Sequence, residues 1–182
     1  MLTRVFKAMI FDSTTYAEVS DDNEATIDAA FLILIYILAA TIANAITASA
    51  TWLLIALIIP LALIEWLVYA GLTCVIAERM FHGEGTLPGI YRAMGFSVAP
   101  GILYMLGAIP TVGACISGLL SLYIFVANVI AVKAAMKISL VGTLVSMFLA
   151  SIAAGMLLGC LAVPLIFLLG PENLIPNLEQ FR

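Results

Sequence analysis

The chain has 182 residues, 64% of them hydrophobic and 10% charged, with a formal net charge of -4 and a mean hydropathy of +1.20. Ordinary globular domains are about 45–50% apolar, so this composition excludes a sizeable soluble domain and points to an all-α integral membrane protein. Acidic residues gather between Asp12 and Asp28 and no dense basic patch exists, which excludes nucleic acid and leaves the lipid bilayer as the implied partner.

Residues 1–26 read as a cytoplasmic amphipathic and polar N-terminal segment. In LTRVFKAMIF, Leu2, Val5, Phe6, Met9 and Ile10 share helical spacing while Arg4 and Lys7 lie off that stripe, the pattern of a short interfacial helix. The apolar run ends at Asp12, too soon for a cleavable signal peptide, so targeting is expected to rely on the first span. The polar stretch DSTTYAEVSDDNEATID follows, with Asp12 or Ser13 suited to cap a helix.

Residues 27–170 read as a five-helix transmembrane domain, since about 20 residues at 1.5 Å each cross roughly 30 Å of hydrocarbon. The expected spans are 27–49, 52–77, 93–109, 114–132 and 139–169, with Pro164 ending or kinking the last and 171–182 forming a short extracytoplasmic tail. The first two are joined by a connection short enough to be a tight hairpin. Lys and Arg mark the cytoplasmic side. Arg4, Lys7, Arg79, Arg92, Lys133 and Lys137 all fall on one side and only Arg182 on the other, placing the N-terminus inside and the C-terminus outside.

Glu65 lies 13 residues from both Trp52 and Glu78 and is the one charged-type side chain in the middle of a span. An ionised carboxylate there costs about 2.5–3.5 kcal/mol on insertion scales, so access to water decides its state. Asn44, Asn128, Tyr69 and Tyr123 are the candidate polar partners, and Tyr69, one helical turn on, is the one whose proximity the spacing supports. With no intramembrane Lys, Arg, Asp or His beside it, Glu65 reads first as a structural hydrogen-bond anchor and second as an ion or proton site. Cys74, Cys115 and Cys160 are isolated in apolar runs, and His82 is alone in a loop, so neither a metal site nor a nucleophile–base pair is expected.

Two further patterns concern packing. Gly142, Ser146, Ala150 and Ala154 repeat at spacing four, as do Ser151, Gly155 and Gly159; such tracks let helices approach closely, within one chain or between copies. Pro110 and Gly113 fit an external turn, whereas Pro100 lies inside the third span and would free the carbonyl of Phe96.

From Tyr91 to Gly113 the sequence YRAMGFSVAPGILYMLGAIPTVG resembles the Yip membrane family, the Ypt/Rab-interacting proteins. The motif G-[YF]-x-x-x-P that opens the third span is met by Gly95, Phe96 and Pro100, and Pro110 and Gly113 fit the turn before a long fourth span. The resemblance covers roughly residues 1–170. It implies five clustered spans and a non-enzymatic membrane-organising or adaptor role, with no cofactor, acting on a membrane-protein partner or a second copy. The D-L-Y-G-P element of eukaryotic trafficking members is not matched before the first span, so binding of a Rab-type GTPase does not carry over. The chain looks more like the prokaryotic members, in the inner (cytoplasmic) membrane. A small transporter or channel subunit centred on Glu65, or an accessory subunit of a larger complex, is the alternative.

Overall fold

The computed structural model describes residues 2–48 and 52–169, and every described element is helical. The helices are α1 (Leu2–Met9), α2 (Ser13–Asp21), α3 (Ala25–Ala48), α4 (Trp52–Phe81), α5 (Leu87–Ser97), a 3-10 helix (Ala99–Ala108), α6 (Gly113–Met136) and α7 (Leu140–Leu169). Among the described residues four helices are long and apolar enough to cross a membrane, within α3, α4, α6 and α7, and Ala99–Ala108 is a shorter apolar helix. The expected hairpin connection between the first two spans and the expected tail at 171–182 lie outside the described residues.

The N-terminal segment forms the helix expected at its start and a second one after Asp12. The polar stretch after Asp12 folds into α2, and of the two expected caps it is Asp12 that caps it. Its Oδ1 accepts from the Thr14 backbone N–H (3.1 Å) and hydroxyl (2.7 Å), and its Oδ2 accepts from the Thr15 hydroxyl (3.0 Å). Those hydroxyl bonds, Thr14 first and Thr15 second, hold the Asp12 carboxyl below its ordinary range. Phe11, at φ 63°, turns the chain between the helices. The buried Tyr16 hydroxyl donates to the Ala8 carbonyl at 2.8 Å, and Arg4 pairs with Asp22 at 2.6 Å across the open ends.

This α1–α2 hairpin is docked on the bundle. Tyr16 and Val19 pack among Ala93, Phe96 and Ala131 from α5 and α6. At its tip the Phe11 ring meets Tyr123 with centroids 4.6 Å apart, and the Tyr123 hydroxyl donates to the Met9 carbonyl. Tyr123 stands 13 residues from the Met136 end of α6, about 20 Å at helical rise, so the hairpin runs well down the bundle.

The segment expected as a kinked third span is two helices of different kind. Thr86 caps α5, its Oγ1 accepting from the Gly89 N–H at 3.2 Å, and Pro88 occupies the first turn, where its missing donor costs nothing. At Pro100 the backbone cannot donate to the carbonyl of Phe96, and the ladder shifts to i→i+3 bonds, beginning with Gly101 N–H to Val98 O at 2.8 Å. The motif glycine Gly95 is required by contact: a Cβ there would stand 2.8 Å from the Ala29 Cβ of α3. Gly101 is tighter still, its Cβ falling 2.3 Å from Tyr36 Cδ2. Phe96 is fully buried beneath the hairpin. Pro110 is exposed in the turn that leads into α6, where Gly113 donates to the Ile109 carbonyl at 2.9 Å.

Two other prolines sit inside helices. Pro164 neither ends α7 nor stops it short, because the helix continues to Leu169. Pro60 lies within α4 and leaves the carbonyl of Ala56 without its helical donor.

Candidate functional site

Of the polar residues that the sequence singles out within the spans, four converge on one place; Tyr123 does not, its hydroxyl donating instead to the Met9 carbonyl of the N-terminal hairpin. Glu65 and Tyr69 of α4, Asn44 of α3 and Asn128 of α6 all line a cavity of ≈ 530 Å³. Its walls run along α3 from Tyr36 to Ala45 and along α4 from Ile55 to Tyr69, closed by Val98, Ile124, Ser151 and Ala154. The cavity therefore extends from the level where α5 gives way to the 3-10 helix toward the adjoining ends of α3 and α4.

Three side chains of this lining escape a sequence reading. Tyr36 sits in an apolar run, Trp66 follows Glu65, and Ser151 belongs to a small-residue track; only their convergence makes them a site. Tyr36 is braced by Tyr104, with ring centroids 5.8 Å apart, and the Tyr104 and Ser121 hydroxyls are 2.6 Å apart. Trp66 is braced by Tyr91 at 5.8 Å, and the Tyr91 hydroxyl donates to the Leu67 carbonyl at 3.0 Å. The Ser97 hydroxyl lies 2.8 Å from Asn128 Oδ1 and 2.7 Å from the Met94 carbonyl, fixing the amide from behind.

Glu65 does not behave as the expected anchor. Its side chain is exposed, and among the described residues its carboxylate makes no hydrogen bond or ion pair. Tyr69 is one turn away without a bond to Glu65 among the described residues, and one turn further on the Thr73 hydroxyl donates to the Tyr69 carbonyl at 2.8 Å. The physical reason is space: a carboxylate facing a cavity has no packed neighbour to hold it.

Arg92 is the polar residue whose place the sequence reading missed. Counted among loop charges, it lies within α5 with only 5% of its surface exposed. Its Nη1 donates to Asn23 Oδ1 at 2.6 Å and its Nη2 to the Ser20 carbonyl at 2.6 Å, with Thr26 Oγ1 at 3.4 Å. One guanidinium thus joins the end of α2 to the start of α3 through charge-assisted bonds. Asp22, between them, is held below the ordinary carboxylate value of 3.8, first by the bond from Arg4 and then by the Glu24 backbone N–H.

The two small-residue tracks of α7 separate. Gly142, Ser146, Ala150 and Ala154 are buried, and a Cβ on Gly142 would stand 3.0 Å from Phe81 of α4. Gly155 and Gly159 face open space, with nothing within 4 Å of a Cβ built on either.

Long apolar helices packed around a mostly apolar cavity that holds one carboxylate define an all-helical integral membrane protein. The Yip1 domain matches residues 6–168, so the chain belongs to the Yip1 domain family, and the match takes in the α1–α2 hairpin from Phe6 as well as the spans. Comparison with curated proteins and with solved structures gives no match.

Proposed function

We propose that this Yip-type protein is a non-enzymatic membrane organiser that crosses the bilayer five times and uses its N-terminal hairpin as a wedge in the cytoplasmic leaflet. One observation carries this reading. Leu2, Phe6 and Ile10, spaced one turn apart on and just beyond α1, are 72%, 66% and 76% exposed although the hairpin beneath them is packed on the bundle. Such a row, fixed to a membrane-spanning body, finds apolar cover in the acyl region of one leaflet.

The fifth span in this reading is α5 followed by the 3-10 helix. Laid end to end they reach about 36 Å, enough for a roughly 30 Å hydrocarbon core. The distribution of Lys and Arg supports a cytoplasmic N-terminus and an external C-terminus, in a prokaryotic inner membrane. The open track at Gly155 and Gly159 suits contact with a second copy or another membrane protein.

Reconstitution into extruded liposomes tests the wedge. The protein is expected to lower mean vesicle diameter in a dose-dependent way, and Phe6→Glu with Ile10→Glu to abolish this while leaving helicity and insertion unchanged. Equal vesicle sizes for parent and variant contradict the reading. A second reading, a small transporter or channel subunit, is favoured by the carboxylate of Glu65 facing a cavity.

A further inference from the structure

We infer that the cavity around Glu65 binds an amphiphilic organic cation carrying a single positive charge, its ammonium group against the carboxylate and its apolar body against the cavity wall. This goes beyond the membrane-organising reading and does not depend on it.

The charge of the occupant follows from the lining. Among the described residues Glu65 is the only carboxylate that lines the cavity, and no Lys, Arg or His does. Among the described residues the exposed Glu65 carboxylate has no hydrogen bond or ion pair, so a cation can meet it without displacing a protein partner.

The chemical class follows from the rest of the wall. Tyr36, Trp66 and Tyr69 bring three aromatic rings to the same cavity as the carboxylate, and ring faces attract ammonium groups, most strongly when both are removed from water. Bracing by Tyr104 and Tyr91 holds two of those rings in place before any ligand arrives. A divalent metal is a poor match, since hard cations need several oxygen ligands and among the described residues no three of His, Cys, Asp and Glu come together. The size is also wrong for a bare ion: ≈ 530 Å³ falls within the range of small-molecule pockets, about 300–1,000 Å³. Ile37, Ile55, Ile58 and Ile124 supply the apolar surface that an alkyl or aryl body would cover.

The chain has two tryptophans, so Trp52→Phe leaves Trp66 as a sole reporter in the cavity wall. The probe is phenyltrimethylammonium, titrated against this variant in uncharged maltoside micelles, with tert-butylbenzene as the isosteric neutral control. Saturable change of Trp66 emission is expected with the cation, and at least tenfold weaker response with the control. Glu65→Gln in the same background should weaken the cation at least tenfold. Equal responses to cation and control in the parent background overturn the inference without recourse to any variant of Glu65. So does cation binding unchanged by Glu65→Gln at parental helicity. Two competitors identify the source of the ammonium. Displacement by sphingosine, a lipid amine with one positive charge and no phosphate, assigns it to a lipid, and displacement by phenethylamine alone assigns it to a free amine. If neither displaces the probe, the cavity is not selective for ammonium compounds and the inference fails.

Discussion

Arg92 and Glu65 are both charged groups set among apolar helices, and they are treated in opposite ways. Arg92 is nearly enclosed, with Asn23 and the Ser20 carbonyl each 2.6 Å from its guanidinium. Glu65 is exposed toward a cavity, with no bond to its carboxylate among the described residues. A buried guanidinium that donates to neutral acceptors works as a fastening, because removing it strands them, even though the Arg92 Nε itself is buried without a partner. A charge left open beside a cavity fastens nothing and is available to a ligand. The polar end of the molecule is thus the part fastened by side-chain hydrogen bonds, and the cavity is the part whose carboxylate is left open.

The largest expected effect is at the fastening. Arg92→Ala leaves the Ser20 carbonyl and the Asn23 side chain without their donor, at a cost of about 2–4 kcal/mol. Thermal unfolding in detergent should show a clear loss, with earlier proteolysis near the N-terminus; Arg92→Lys should recover only part, because one ammonium lacks the fork that reaches both acceptors. If Arg92→Ala proves no less stable than Glu65→Gln, the contrast between the two sites is wrong.

A smaller effect compares glycines. Gly95→Val presses a side chain onto Ala29, whose Cβ and carbonyl oxygen stand 2.8 and 3.1 Å from a Cβ at that position, and should cost about 1–3 kcal/mol. Gly155→Leu with Gly159→Leu meets open space within the chain, so the monomer should keep its stability while any oligomer weakens. Size-exclusion chromatography with light scattering reads the second outcome.

The smallest effect is at the rim of the fastening, where Arg4 and Asp22 are both partly exposed. Because the carboxyl of Asp22 is held below its ordinary value of 3.8, its contribution is complete above that pH and is lost as pH falls through the lower folded value. Asp12 acts in the same direction at the α2 cap. Proteolysis of the hairpin should therefore be constant from neutral pH down to about 5 and rise only in stronger acid, and Asp22→Asn should remove part of that rise.

Much of the architecture was legible because hydrocarbon selects strongly for length and apolarity: α3, α4, α6 and α7 cover their expected spans within a few residues. Glu65 was legible for the same reason, as a carboxylate in the middle of an apolar run. What faces what was not. In a membrane chain an apolar residue looks alike whether it meets lipid or core, so nothing in the sequence separates the buried Gly142 track from the open Gly155 track, or marks Tyr36 and Trp66 as neighbours of Asn128. Pro100 announced a break but not its form, since a kinked α-helix and a ten-residue 3-10 helix both absorb a missing donor. Arg92 was hidden by its position near a polar loop, where a long basic side chain ordinarily reaches water.

If α5 and the 3-10 helix together make a fifth crossing, as we propose, Glu84 and Glu179 face opposite sides of the bilayer. This is tested by single cysteines at Glu84 and at Glu179 in a chain from which Cys74, Cys115 and Cys160 have been removed, labelled in intact cells with a membrane-impermeant maleimide. Glu179→Cys should label from outside and Glu84→Cys only after the membrane is opened. Labelling of both from the same side would contradict the five-span account.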